Sequence, residues 1–389
     1  MFASLAFVFL FGLMGAAVFE KMKLPRIIGM LLAGILIGPY ALGLLDPTIL
    51  SISGDLRKLA LMLILLRAGL SLDLGDLKRV GRPAVLMAFV PATFEVLAVV
   101  LFAPMILGVT RVEAAVMGAV LGAVSPAVVV PRMVKLMEEG RGTKQGVPQM
   151  IMAGASCDDV YVIVLFSTFT RMAQGGGARL ADFAAVPISV VLGALVGAAG
   201  GWMLNRLFER GRIAETMRIM LTLAVGCLLI ALEGWLDDKA ALSGLLGVMS
   251  MAVMLRRLGD VKAISAGIGK LWQAAEVLLF VLVGAAVDIR YTLEAGAGAV
   301  LLIALALAIR SIGVALCVAG TKLTKKERLF CVIAYLPKAT VQAAIGATPL
   351  AMGLPCGKLV LSVAVLAILI TAPLGAVGMD ATAEKLLQK

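Results

Sequence analysis

The stretch Ala153-Gly154-Ala155-Ser156-Cys157-Asp158-Asp159-Val160-Tyr161-Val162-Ile163 sets two adjacent carboxylates inside a run otherwise apolar enough to lie in hydrocarbon. A charge at the centre of a bilayer costs at least ~2.5–3.5 kcal/mol on insertion scales, so an ionisable group at that depth is a functional-site candidate by default. Carboxylates can hold a cation or a proton. Two of them, with no other evident use, point to ion movement across a membrane.

The surroundings agree. The chain has 389 residues, of which 61% are hydrophobic and 15% charged, and its mean hydropathy is +1.06. A membrane-spanning helix needs about 20 apolar residues, and runs of that kind recur from end to end. The expectation is an all-α, multi-pass membrane protein, since a β-barrel would show short alternating segments instead. No basic residue precedes the first run, from Ala3 to Phe19, which argues against a cleaved signal peptide. The net charge of +11 reads as basic cytoplasmic loops rather than as a nucleic-acid surface. Five cysteines show no metal-binding or disulfide spacing, and histidine is absent. A response to pH near neutrality must therefore come from carboxylates, lysines or cysteines. Neither enzyme chemistry nor a resident cofactor is expected.

Thirteen spans are predicted, at roughly 3–20, 26–40, 56–72, 83–108, 113–137, 147–172, 183–208, 214–233, 241–257, 265–287, 293–319, 327–352 and 358–377. With the N-terminus outside, the inner loops and the C-terminus hold 24 of the 35 Lys and Arg residues and the outer loops 8. The other 3 are Arg67, Arg310 and Lys338, within spans. This three-to-one alternation predicts the N-terminus outside and the C-terminus in the cytoplasm.

The sequence also repeats itself weakly. Gly69-Leu70-Ser71-Leu72-Asp73 is echoed by Gly284-Ala285-Ala286-Val287-Asp288, and Asp73 and Asp288 lie 215 residues apart, as do Glu95 and Arg310. The repeated helices are seven spans apart. Seven is odd, so the two halves insert upside down relative to each other, an architecture that in transporters frames a site near the midplane. Two spans carry proline at their centres: Ser125-Pro126 with Pro131 in the fifth, and Pro337-Lys338-Ala339-Thr340 in the twelfth. Proline removes an amide donor and clashes with the preceding turn. Interruptions at corresponding places suggest two broken helices whose free ends and carbonyls face an ion.

Around these breaks we read the candidate site. Asp158 and Asp159 stand about 100° apart on their helix, so they face different neighbours. Their mutual repulsion is relieved by one proton or one small cation, and the two compete. Lys338 is the natural counter-ion for one of the aspartates. Glu95 and Arg310, of opposite sign at matching repeat positions, are expected to form a buried ion pair. Asp237-Asp238-Lys239 forms a second acidic pair, in an outer loop, read as a cap or funnel wall.

These residues together resemble the monovalent cation:proton antiporter superfamily, and within it the NHA-type Na+/H+ exchangers. The resemblance runs along nearly the whole chain. It is carried by Gly29-Met30-Leu31-Leu32-Ala33-Gly34-Ile35-Leu36-Ile37-Gly38-Pro39, by Ser125-Pro126-Ala127-Val128-Val129-Val130-Pro131, by the Asp158-Asp159 pair, and by Pro337-Lys338-Ala339-Thr340-Val341-Gln342-Ala343-Ala344-Ile345-Gly346. It implies an NhaA-like fold of two inverted repeats with crossed broken helices, and a homodimer in membrane lipid without nucleic acid. It further implies dimerisation helices in 1–80 and 213–290, a linker helix in 176–212, and ion-translocating core helices in 81–175 and 291–389. The core would move as an elevator. In the family the second aspartate, here Asp159, binds the ion and the first, here Asp158, pairs with the lysine, here Lys338. Members with two aspartates tend to be electrogenic. Many relatives carry Thr-Asp after the Ser-Pro of the first break, where this chain has Ala127-Val128; the unwound segment then offers only Ser125 and backbone carbonyls, which leaves Asp158, Asp159 and Ser156 to carry more of the coordination. Pro126, Pro337, Thr340 and Gln342 are expected to shape the breaks.

The expected activity is exchange of Na+ (or Li+) for H+ by alternating access, in the cell membrane and, given the short loops, a bacterial inner membrane. Three rivals remain: a symporter for a small organic solute, a K+/H+ efflux system and a membrane sensor without transport. Only 5% aromatic residues argues mildly against a solute pocket, and efflux systems usually append a nucleotide-binding domain.

Overall fold

The computed structural model describes residues 1–71, 81–174, 180–211, 213–236 and 242–388, with the side chains at 156, 160, 180–187, 189, 190 and 293–295 left undescribed. Among the described residues all regular structure is helical. Apolar sequence in lipid leaves little choice, because a helix satisfies its backbone polar groups within the segment. Nine helical stretches among the described residues are long and apolar enough to cross a membrane. Asp73 and Asp237-Asp238-Lys239 lie outside the described residues.

In chain order the helices are α1 (Phe2–Lys21), α2 (Arg26–Ile37), α3 (Pro47–Ser51), α4 (Ser53–Ser71), α5 (Arg82–Met87), α6 (Val90–Leu107), α7 (Arg111–Leu121), α8 (Pro126–Glu138) and α9 (Val147–Ala173). They continue as α10 (Leu180–Arg210), α11 (Glu215–Leu236), α12 (Gly244–Leu258), α13 (Lys262–Ala285), α14 (Ile289–Cys317), α15 (Lys325–Ala334), α16 (Thr340–Gly346), α17 (Thr348–Ala351) and α18 (Gly357–Leu386).

The chain divides into two compact units. One comprises Met1–Gly54, Asp73–Gly175 and Val277–Lys389, the other Asp55–Leu72 and Gly176–Glu276. In the first, α6 packs along α14, α7 lies against α6 and α9, and α18 touches α7, α14, α15 and α16. Outward faces such as Leu97, Leu101 and Met105 of α6 are apolar and exposed, as lipid contact requires. In the second unit α12 packs against both α10 and α11.

Both proline-bearing spans are broken. The predicted span 113–137 is α7 and α8 with Gly122–Ser125 between them, and 327–352 is α15, α16 and α17 with Tyr335–Ala339 unwound before α16. Pro126 opens α8 at the first helical position, where its missing N–H would have had no intrahelical partner. The two half-helices that lead into the breaks start identically. In α7, Thr110 and Glu113 form a capping box, and in α15 Thr324 and Glu327 form another. The helix pairs α6–α7 and α14–α15 thus repeat not only in order but in the chemistry that starts each broken span.

Candidate ion site at the crossing of the two breaks

The breaks are tied to each other by backbone. The amide of Ser125 donates to the carbonyl of Pro337 at 2.8 Å. Pro337 in turn rests on α18 at Gly375, where a β-carbon would come within 2.6 Å of the proline Cδ. Close approach of α18 therefore requires glycine there. The amide of Lys338 donates to Thr371 Oγ1 of α18, at 2.8 Å, which fixes the second break from the other side.

α9 brings the aspartates alongside. Asp158 is fully buried and Asp159 only 2% exposed. Asp158 Oδ2 accepts from the amide of Val124, at 2.8 Å. That amide belongs to the unwound stretch just before α8, so the carboxylate meets the positive end of a half-helix. Glycine at 154, one turn earlier on α9, leaves the space filled by the Tyr335 hydroxyl.

Arg310 of α14 is the hub. Its Nη1 lies 2.6 Å from Glu95 Oε2 and its Nη2 3.1 Å from Asp158 Oδ2. Nε donates to the carbonyl of Tyr335 at 3.0 Å, and Nη1 also donates to the carbonyl of Gly122. One guanidinium thus joins both breaks, α6 and α9. It sits at the carbonyl ends of α7 and α15, where positive charge opposes the helix dipoles. Its Cζ also lies 5.6 Å over the Tyr335 ring, a cation–π contact.

Lys338 departs from expectation. The sequence made it the partner of an aspartate, yet its Nζ lies 2.5 Å from Glu95 Oε2, and the cation on Asp158 is Arg310. The reason is donor geometry. A guanidinium offers five N–H groups in a planar fork and can serve two carboxylates and two carbonyls together, whereas an ammonium acts as a point charge. Once Arg310 holds Asp158, Glu95 is the acid shared between Arg310 and Lys338.

The charges do not balance. Glu95, Asp158, Asp159, Arg310 and Lys338 are each at most 2% exposed. Three acids and two bases, all ionised, leave one negative charge. Asp158 and Glu95 have cations within hydrogen-bond distance, so the surplus falls on Asp159, whose Oδ1 is buried without a hydrogen-bond partner. Asp158 Oδ1, Ser125 Oγ, Thr340 Oγ1, Gln342 Oε1 and the Tyr335 hydroxyl are likewise buried and unpartnered. Leaving such a group unpaired costs ~1–3 kcal/mol. These six buried oxygens lie on α9, on the two unwound stretches and at the start of α16. The side chain of Ser156 lies outside the described residues.

Sequence reasoning missed Tyr335 and Thr371. Both were open to detection: each is a hydrogen-bonding residue two positions before a proline in an apolar span, where a broken or bent helix leaves backbone groups to satisfy. The Thr-x-x-Glu capping boxes, a further mark of the repeat, could also have been read from sequence.

Comparisons with known proteins identify the family. The family described as sodium/hydrogen exchanger, transmembrane, matches residues 5–384. The human protein called sodium/hydrogen exchanger 9B2 is 33% identical over 381 residues, covering 94% of this chain and 70% of that protein. Its Xenopus tropicalis counterpart is 34% identical, with 97% and 73% covered. The solved structure of the sodium proton antiporter MjNhaP1 from Methanocaldococcus jannaschii superposes with a TM-score of 0.85 at 22% identity, covering 98% of this chain and 97% of that one; at that identity the likeness speaks to the fold. A multi-pass helical membrane protein with two broken helices, matched along nearly its whole length by this family, belongs to the sodium/hydrogen exchangers: transporters, not enzymes.

Proposed function

We propose that the protein exchanges Na+ (or Li+) for H+ by alternating access, and that the two ions contend for Asp159, with Asp158 as its immediate neighbour. The observation that carries this reading is the unpaired carboxylate. Asp159 is buried beside a network that is one positive charge short. One proton or one sodium ion completes it, and each excludes the other. Exchange follows if the completed site, but not the empty one, can change the side to which it opens: a lone charge in hydrocarbon opposes the crossing.

An elevator-type motion is supported by where the network sits. Glu95, Ser125, Asp158, Asp159, Arg310, Lys338, Thr340 and Gln342 all belong to one compact unit, which also takes in Met1–Gly54 and residues 277–290 that we assign to the dimer side. Most are cross-linked by the hydrogen bonds and ion pairs above, so the site can travel as a rigid body rather than be reassembled on each side. We further propose that 81–175 and 291–389 form this moving core, that 1–80 and 213–290 supply the contacts of a homodimer, and that 176–212 links the two. The basic loops favour a C-terminus in the cytoplasm, and the short loops favour a bacterial inner membrane.

The test is flux in proteoliposomes. An inward Na+ or Li+ gradient should drive protons out of the vesicles in wild type and not in Asp159→Asn. A gradient that moves no protons in wild type overturns the reading.

A further inference from the structure

Resting on that reading, we propose that Gln342 is the specificity-determining residue of the ion site: its amide keeps backbone carbonyls away from the cation, so that charged carboxylate, not neutral carbonyl, dominates the coordination. Gln342 is fully buried at the start of α16. Its Nε2 donates to the carbonyls of Leu121, at 3.2 Å, and Ala123, at 2.9 Å. Those two acceptors fix the orientation of the amide, since only the nitrogen can donate.

The carbonyls concerned are those a broken helix would offer an ion. α7 ends at Leu121; the amide of Gly122 closes back on the Ala119 carbonyl, and the carbonyls from Leu121 on point out of the helix end. Gln342 takes 121 and 123, while Arg310 takes Gly122 between them. Three consecutive carbonyls at the open end of the first half-helix are thus occupied by donors from the other half of the sequence. The buried side-chain oxygens left without a hydrogen-bond partner are Asp158 Oδ1, Asp159 Oδ1, Ser125 Oγ, Thr340 Oγ1 and Gln342 Oε1 itself. The residues following Pro126 are Ala127 and Val128 and add no side-chain oxygen.

The kind of oxygen matters to selectivity. Carboxylate exerts a strong field that rewards small cations with high charge density. Carbonyl dipoles in number replace the hydration shell of K+, the arrangement of potassium-selective filters. A site from which three carbonyls are withdrawn is biased toward Na+, Li+ and H+. Gln342 is the uncharged part of that device, so it can be changed without altering the charge count.

The experiment compares Na+ with K+ as the driving ion in proteoliposomes for wild type, Gln342→Leu and Asp159→Asn, scoring the ratio of apparent KM values for the two ions. Leucine is close in volume and donates nothing. Gln342→Leu should lower the K+-to-Na+ KM ratio at least tenfold, with the maximal rate changed less than the KM values. An unchanged ratio in Gln342→Leu overturns the assignment. Should the leucine variant fail to yield folded protein, Gln342→Met, flexible and likewise without a donor, is read by the same criterion. Asp159→Asn separates the two levels: if it still exchanges Na+ as wild type does, the carboxylate reading itself fails. If it is inactive while Gln342→Leu keeps the wild-type ratio, only the role given to Gln342 fails.

Discussion

Arg310 Nη2 lies 3.1 Å from Asp158 Oδ2, with both side chains buried. The pairing reassigns the cations of the site, because Arg310 occupies the acid that the sequence had matched with Lys338 and sends the lysine to Glu95. Removing one member of a buried pair leaves its partner charged and unmatched, at a typical cost of ~3–5 kcal/mol. Arg310→Ala should therefore lower the thermal unfolding midpoint of the purified protein markedly, whether or not Na+ is present. Glu95→Gln keeps the shape and should cost less. An Arg310→Ala midpoint equal to wild type contradicts the hub role.

Ser125 and Thr340 carry hydroxyls that are buried but unpartnered. Removing them takes away no protein hydrogen bond, so Ser125→Ala and Thr340→Ala should change stability by less than ~1 kcal/mol. If these oxygens serve the cation, apparent KM for Na+ rises instead, by ~3–10-fold, equivalent to ~0.7–1.4 kcal/mol of binding. Flux assays and thermal unfolding on the same preparations distinguish the outcomes. Lost stability with unchanged KM assigns the hydroxyls to structure.

Competition fixes the sign of the pH dependence. If protons occupy the carboxylate that Na+ requires, as proposed, acidification raises the apparent KM for Na+ and leaves the rate at saturating Na+ the same. Where the carboxylate is mostly protonated the rise approaches ~10-fold per pH unit. Flux measured at equal pH on both sides checks this. A KM independent of pH across the active range is incompatible with one shared site.

The last helix is clasped to the first broken span. Arg132 of α8 meets Asp380 of α18 through Nε and Nη2, both at 3.0 Å, Arg141 Nη2 lies 2.9 Å from Glu384 Oε1, and the amide of Gly142 donates to the carbonyl of Gln388. Asp380 and Glu384 are exposed, and exposed pairs contribute ~0–1 kcal/mol and weaken with salt. Asp380→Asn should lower the unfolding midpoint slightly at low salt and not at high salt. A large loss that persists in high salt would mean that the clasp does more than pair surface charges.

Much of this was legible in the sequence. Pro126 and Pro337 mark the breaks because proline at mid-span has few structural alternatives, and Glu95 with Arg310 stands out because charge is rare in apolar sequence. Charge identity, however, does not fix charge partners. Which base meets Asp158 depends on the reach and fork of a guanidinium from α14, and on an unwound backbone that presents Gly122 and Tyr335 carbonyls to it. The role of Gln342 was hidden for the same reason: its acceptors, Leu121 and Ala123, are backbone groups some 220 residues away, and sequence carries no sign of which carbonyls a broken helix leaves open.

The central claim is that the charge at Asp159 is the one over which sodium and protons contend. Electrophysiology on a solid-supported membrane under a Na+ jump, paired with proton flux in vesicles from the same preparation, reaches it most directly. Wild type should release protons in response to Na+, with half-saturation shifting upward as pH falls, and Asp159→Asn should show neither signal while remaining folded. Sodium-driven proton release by Asp159→Asn at the wild-type level would contradict the account.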